Sequence, residues 1–161
     1  MSIAHEMLGF LLDVRAPWRS DWIWGCPLIV ITVILHVLGI QSIGQRAVAI
    51  HRAFSGLGYS TVRSATLVGV ATLLATLLHA IEAAIWGVTY MLIGALADVR
   101  SAMLYSLGAL TTYGHQSVFL EDHWRLLGAI EALNGWLLFG LSTAFLFWLM
   151  QEVSPRNQAD S

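Results

Sequence analysis

Between Asp21 and Arg46 no side chain carries a formal charge, and the stretch WIWGCPLIVITVILHVLGI fills that gap. At about 1.5 Å per residue, a helix of this length crosses a hydrocarbon core of ~30 Å. Pro27 is expected in its first turn, where a missing N–H does little harm. Trp22 and Trp24 suit an interfacial belt. Two more runs have the same character. Residues 65–97 are interrupted by one acid, Glu82, and exceed what a single crossing needs, so this span tilts or begins in the interface. Residues 126–150 carry Glu131 and Asn134 near their start and Trp148 near their end. Only 11% of the chain is charged and 57% is hydrophobic, whereas soluble domains have about a quarter of their residues charged. The 161 residues therefore read as an integral membrane protein with room for one domain.

Charge then orients the spans. The loop expected at 41–64 holds Arg46, Arg52 and Arg63 and no acid, while the next one sets Asp98, Glu121 and Asp122 against Arg100 and Arg125. The positive-inside rule places the first loop in the cytoplasm and the second outside. The C-terminus is then cytoplasmic, in a multi-pass protein of the cell inner membrane. Arg15 and Arg19, on the outer side, run against this orientation. The net charge of −2 gives no reason to expect nucleic acid. With Cys26 alone, no intrachain disulfide or thiol metal site can form. No basic residue precedes Arg15, so a cleaved secretory signal is not expected.

Five segments follow: an interfacial amphipathic segment or frayed terminus at 1–20, a first transmembrane helix at 21–45, and a cytoplasmic loop at 46–64. That loop has room for a short helix near 47–54, which SGLGYS would end. Residues 65–151 hold the remaining spans, and 152–161 form a polar tail expected to be disordered.

The stretch LTTYGHQS lies between the last two spans, behind a short amphipathic segment. Span, short helix, Thr-rich segment and span is the order of a pore loop. Ala102, Tyr105, Ser106, Thr111, Thr112 and Gly114 form one group of markers, Trp124, Arg125 and Leu126 a second, and Gly135, Phe139, Gly140, Thr143 and Ala144 a third. In this order they resemble the pore domain of tetrameric potassium channels, especially small bacterial members of the two-transmembrane ion-channel family. The resemblance covers roughly residues 87–151, under half the chain. It implies an all-α membrane protein: three transmembrane helices plus a re-entrant pore helix and filter loop, in a C4 homotetramer within the lipid bilayer. It implies no enzymatic activity and no cofactor, only a monovalent cation, K⁺ or Na⁺, in the pore. The filter would be Thr111, Thr112, Tyr113, Gly114 and His115.

The filter departs from the family's pattern. Tyr113 stands for its valine, His115 for its tyrosine, Gln116 for its second glycine and Ser117 for its aspartate. In such filters, backbone carbonyls replace the water around K⁺. Turning alternate carbonyls inward needs residues that accept left-handed angles, as glycine does. Gln116 there would carry about 1–2 kcal/mol of strain per subunit. The upper carbonyl ring is expected to be lost or rearranged, and selectivity to fall. Four copies of His115 near the mouth could hold a transition metal when neutral and repel cations when protonated. The plainer alternative is that each bonds its neighbouring pore helix.

Other residues bear chemistry. His79 and Glu82 share a helix face at i, i+3, and Glu131 and Asn134 repeat the spacing. Ionisable groups inside spans suggest function, here a metal or proton site of His79, Glu82 and Glu131. A structural role would instead set Glu82 against the pore helix or filter backbone and Glu131 against the end of the pore helix. His36, alone in its span, reads as a packing histidine. Gly135 and Gly140 could pack closely or act as gating hinges. Phe145, Phe147 and Trp148 could form an apolar constriction or face lipid. Glu121 and Asp122 could concentrate cations at the mouth, or form a solvated turn. A nonconducting metal- or proton-binding membrane protein on the same scaffold is the alternative function.

Overall fold

The computed structural model describes residues 15–54, 60–114 and 118–154, with side-chain environments in the first segment from Arg19 onward. Among these residues the fold is all-α. Helix α1 is Arg15–Ala53, α2 Thr61–Leu92, α3 Val99–Leu110 and α4 Arg125–Glu152, the last preceded by a short 3-10 turn at Asp122–Trp124. Three candidate membrane spans, Arg19–Ala53, Thr61–Leu92 and Asp122–Glu152, are long and apolar enough to cross a bilayer, which suggests a multi-pass membrane protein. The expected amphipathic segment before Arg15, the SGLGYS break, the filter positions His115, Gln116 and Ser117, and most of the tail lie outside the described residues.

Helix α1 differs from expectation at both ends. It begins at Arg15, so Pro27 sits well inside it rather than in the first turn. It also continues through Arg46 and Arg52 to Ala53, in place of a loop beginning at 46. Gln45, Arg46, Ala47 and Ala49 are tolerant or favourable in helices, and charge marks an exit from lipid rather than a helix stop. The helix expected near 47–54 is the last stretch of α1.

The chain packs as two compact units. One takes the described residues up to Thr32 with Ala83–Trp136, and the other takes Val33–Glu82 with the described residues from Leu137 onward. In the first, Leu28, Trp86, Tyr90, Tyr105, Leu127 and Ile130 build a core. Asp21 is buried there and accepts the Leu127 N–H at 3.1 Å. This satisfies one of the donors that the first turn of α4 leaves open. Helix α3 buries Ala102, Tyr105, Ser106 and Ala109, the i, i+3, i+4, i+7 stripe of an amphipathic helix. In the second unit the core is Ile40, Ala71, Leu78, Phe145, Leu149 and Val153. Of the three aromatics near the end of α4, Phe145 is buried, while Phe147 and Trp148 are exposed.

Two glycines of α4 set the first unit's packing. A Cβ on Gly128 would stand 2.0 Å from the Tyr105 hydroxyl, and one on Gly135 would stand 2.0 Å from the Leu110 carbonyl oxygen. A side chain at Gly135 would press on the α3 backbone, and one at Gly128 would displace the Tyr105 ring. Small residues at helix contacts let backbones approach in this way. Gly140 has open space around it.

Candidate functional site

The second unit contains a closed ring of polar contacts. Spacing of i, i+3 puts His79 and Glu82 on one face of α2, where they meet His36 of α1 and Ser142 of α4. His36 Nδ1 lies 2.8 Å from Glu82 Oε1, and His36 Nε2 lies 3.1 Å from Ser142 Oγ. His79 Nε2 lies 3.0 Å from the same Ser142 oxygen, and His79 Nδ1 lies 3.0 Å from Glu82 Oε2. This last approach is close but off the line a hydrogen bond needs, and both of its atoms are buried without a hydrogen-bond partner. His36 and Glu82 are fully buried, and the His79 side chain is 12% exposed. Phe139 stacks on the His79 ring at 4.6 Å and fixes its plane. A carboxylate removed from water must be paired or neutralised, and two imidazoles are what this site supplies.

A second polar group belongs to the first unit. Glu131 Oε2 accepts from the Tyr90 hydroxyl at 2.7 Å, and Glu131 Oε1 is bonded to Ser106 Oγ. Ser106 Oγ also donates to the Ala83 carbonyl at 2.7 Å, linking α3 to both α2 and α4. One turn further along α4, Asn134 Nδ2 donates to Thr32 Oγ1 at 2.8 Å. Tyr105 packs edge-on against Tyr90, with ring centroids 5.2 Å apart.

The four residues directly after α3, Thr111 to Gly114, are exposed. Thr112 and Gly114 both have positive φ, 56° and 88°. The Thr112 N–H bonds the Ala109 carbonyl at 3.0 Å, and the Gly114 N–H bonds the Gly108 carbonyl at 3.2 Å. These bonds cap the carbonyl end of α3 with a left-handed residue. Tyr113 is 76% exposed. A groove of about 480 Å³ runs beside the segment, lined among others by Gly108, Thr112, Gly114, Gly128 and Ala132.

The structure thus sorts the three intramembrane residues taken as one site. His79 and Glu82 stay together, while Glu131 lies in the other unit with Ser106 and Tyr90 for partners. The partners of Glu82 are the two histidines, His36 and His79. His36, read as a packing residue, is a full member of the ring. Of the acids just before α4, Asp122 pairs with Arg125 at 2.8 Å and Glu121 approaches His123 at 3.5 Å, all exposed. Comparison of the chain with protein-family models, curated proteins and solved structures finds no match.

Proposed function

We propose that the chain is the subunit of a homotetrameric cation channel, built like a potassium-channel pore domain and less selective for K⁺. The observation that carries this reading is α3 with the four residues behind it. Twelve residues of helix span about 18 Å, too short for a hydrocarbon core. Yet α3 is held on both sides, by Ser106 on the Ala83 carbonyl and by Glu131 of α4. Its negative, carbonyl end leads into an exposed segment where left-handed angles recur at Thr112 and Gly114, two residues apart.

In this reading α3 is the pore helix, and residues 111–115 form the filter, outside, with the C-terminus cytoplasmic. In filters of that family, alternation of handedness is what turns successive carbonyls toward one side. Around a four-fold axis, those of Thr112, Tyr113 and Gly114 would enclose a K⁺ or Na⁺ ion. The exposure of Tyr113 in the single chain suits a segment that other copies cover. A second reading, a nonconducting metal- or proton-binding membrane protein, is favoured by the buried ring of His36, His79 and Glu82.

Reversal potentials across proteoliposomes under opposed K⁺ and Na⁺ gradients separate the two. The expected result is a protein-dependent current with a K⁺/Na⁺ permeability ratio much nearer one than that of potassium channels, because the filter lacks the second glycine that a carbonyl cage uses. Tyr113→Val, His115→Tyr and Gln116→Gly combined should raise the K⁺ preference. No current with either cation, from protein shown to be tetrameric, overturns the channel reading.

A further inference from the structure

We propose that His36, His79 and Glu82 bind a divalent transition-metal ion of the Zn²⁺ class, through both Nδ1 atoms and the carboxylate. The proposal does not rest on the channel reading, since all three ligands and Ser142 lie within one unit. One donor atom from each of the three residues lies within 4.8 Å of the others. Zinc ligands at 2.0–2.2 Å from the ion stand roughly 3.4 Å apart around a tetrahedron, so small side-chain rotations close the set. Two imidazoles and one carboxylate suit zinc and its neighbours rather than Mg²⁺ or Ca²⁺, which take oxygen ligands.

A count of hydrogens supports a cation at this place. The ring has four contacts: His36 to Glu82, His36 to Ser142, Ser142 to His79, and His79 to Glu82. Two neutral imidazoles and one hydroxyl supply three hydrogens. With both imidazoles neutral, one contact must therefore set lone pair against lone pair, between two buried atoms. The deficit falls at His79 Nδ1 and Glu82 Oε2, which approach to 3.0 Å without a hydrogen bond.

Ser142 supplies the second observation. Its oxygen lies within bonding distance of both Nε2 atoms, and its two lone pairs can accept both N–H groups at once. That tautomer, with hydrogen on each Nε2, frees both Nδ1 atoms to face Glu82. Metal-bound histidines commonly donate their other N–H to such a partner. Phe139 holds the His79 plane, and the partial exposure of His79 gives the ion a route in. Three protein donors leave one tetrahedral position for water.

The test is a titration of chelator-stripped protein in detergent with Zn²⁺ alone, and then with Co²⁺ as a visible-absorbing probe. One ion per chain is expected, with the absorption of a four-coordinate cobalt site. His36→Gln, His79→Gln and Glu82→Gln should each abolish stoichiometric binding. Ser142→Ala, which leaves every ligand in place, should weaken binding by about 10–100-fold, and Ser142→Thr should restore it. Elution volume in size exclusion identifies any variant that has not folded, and the wild type and the two Ser142 variants then still carry the test. Binding well below one ion per chain in the wild type overturns the proposal, because a proton then closes the ring. So does binding that survives His79→Gln and Ser142→Ala but disappears in His115→Asn, which would put the metal in the loop.

Discussion

Ser106 shows how much one hydroxyl can hold. It stands between the Ala83 carbonyl and the Glu131 carboxyl, all three buried, and so joins α3 to α2 and α4. Removing it leaves two buried polar groups short of a partner, at about 1–3 kcal/mol. Ser106→Ala is therefore expected to lower the thermal unfolding midpoint in detergent. Glu131→Gln should cost less, because an amide can still accept from Tyr90 and bond Ser106. Equal midpoints for Ser106→Ala and the wild type would show that the bonds contribute nothing net. The acids here were legible in the sequence, since any carboxyl inside an apolar run stands out. Their partners were not. His79 and Glu131 look alike on paper, and the contacts that part them are made by Tyr90, Ser106 and His36. Nothing in the α1 sequence says which face of α2 His36 meets.

At the scale of elements, α3 was the most legible and the ends of α1 the least. The α3 stripe of Ala102, Tyr105, Ser106 and Ala109 has helical spacing, and Asp98 before it is a normal cap. In α1, the charge at Arg46 can mark the end of a lipid-facing stretch as well as the end of a helix, and here the helix continues to Ala53. The α3 cap also gives a pH dependence. Asp98 Oδ1 accepts from the Ser101 N–H at 2.9 Å. That bond holds the carboxyl below its ordinary pKa of 3.8. The cap's contribution is therefore complete above that ordinary value and is lost as pH falls through the lower folded value. Corrected for intrinsic rates, amide exchange at Ser101 should lose protection in strong acid. Asp98→Ala should remove the protection at every pH, and Asp98→Asn should keep it in acid. Protection that is the same in all three proteins would mean the cap is unimportant.

At the scale of the whole molecule, three candidate spans were legible because uncharged runs of that length have few other uses, whereas the number of copies is not written in any one chain. A single loop supplies a quarter of an ion cage, so the channel reading requires four subunits. Native mass spectrometry or crosslinking in mild detergent should find a tetramer, and a monomer or dimer as the sole species would sink that reading. The seat of the Leu110 carbonyl on Gly135 bears on how such an assembly could work. An oxygen occupying the place of a missing methyl leaves no slack between the end of α3 and the backbone of α4. Gly135 is therefore a poor swivel. On the channel reading, sideways travel of α4 at that level would be passed to Leu110, the residue just before Thr111–Gly114, as a pushrod passes motion to a valve.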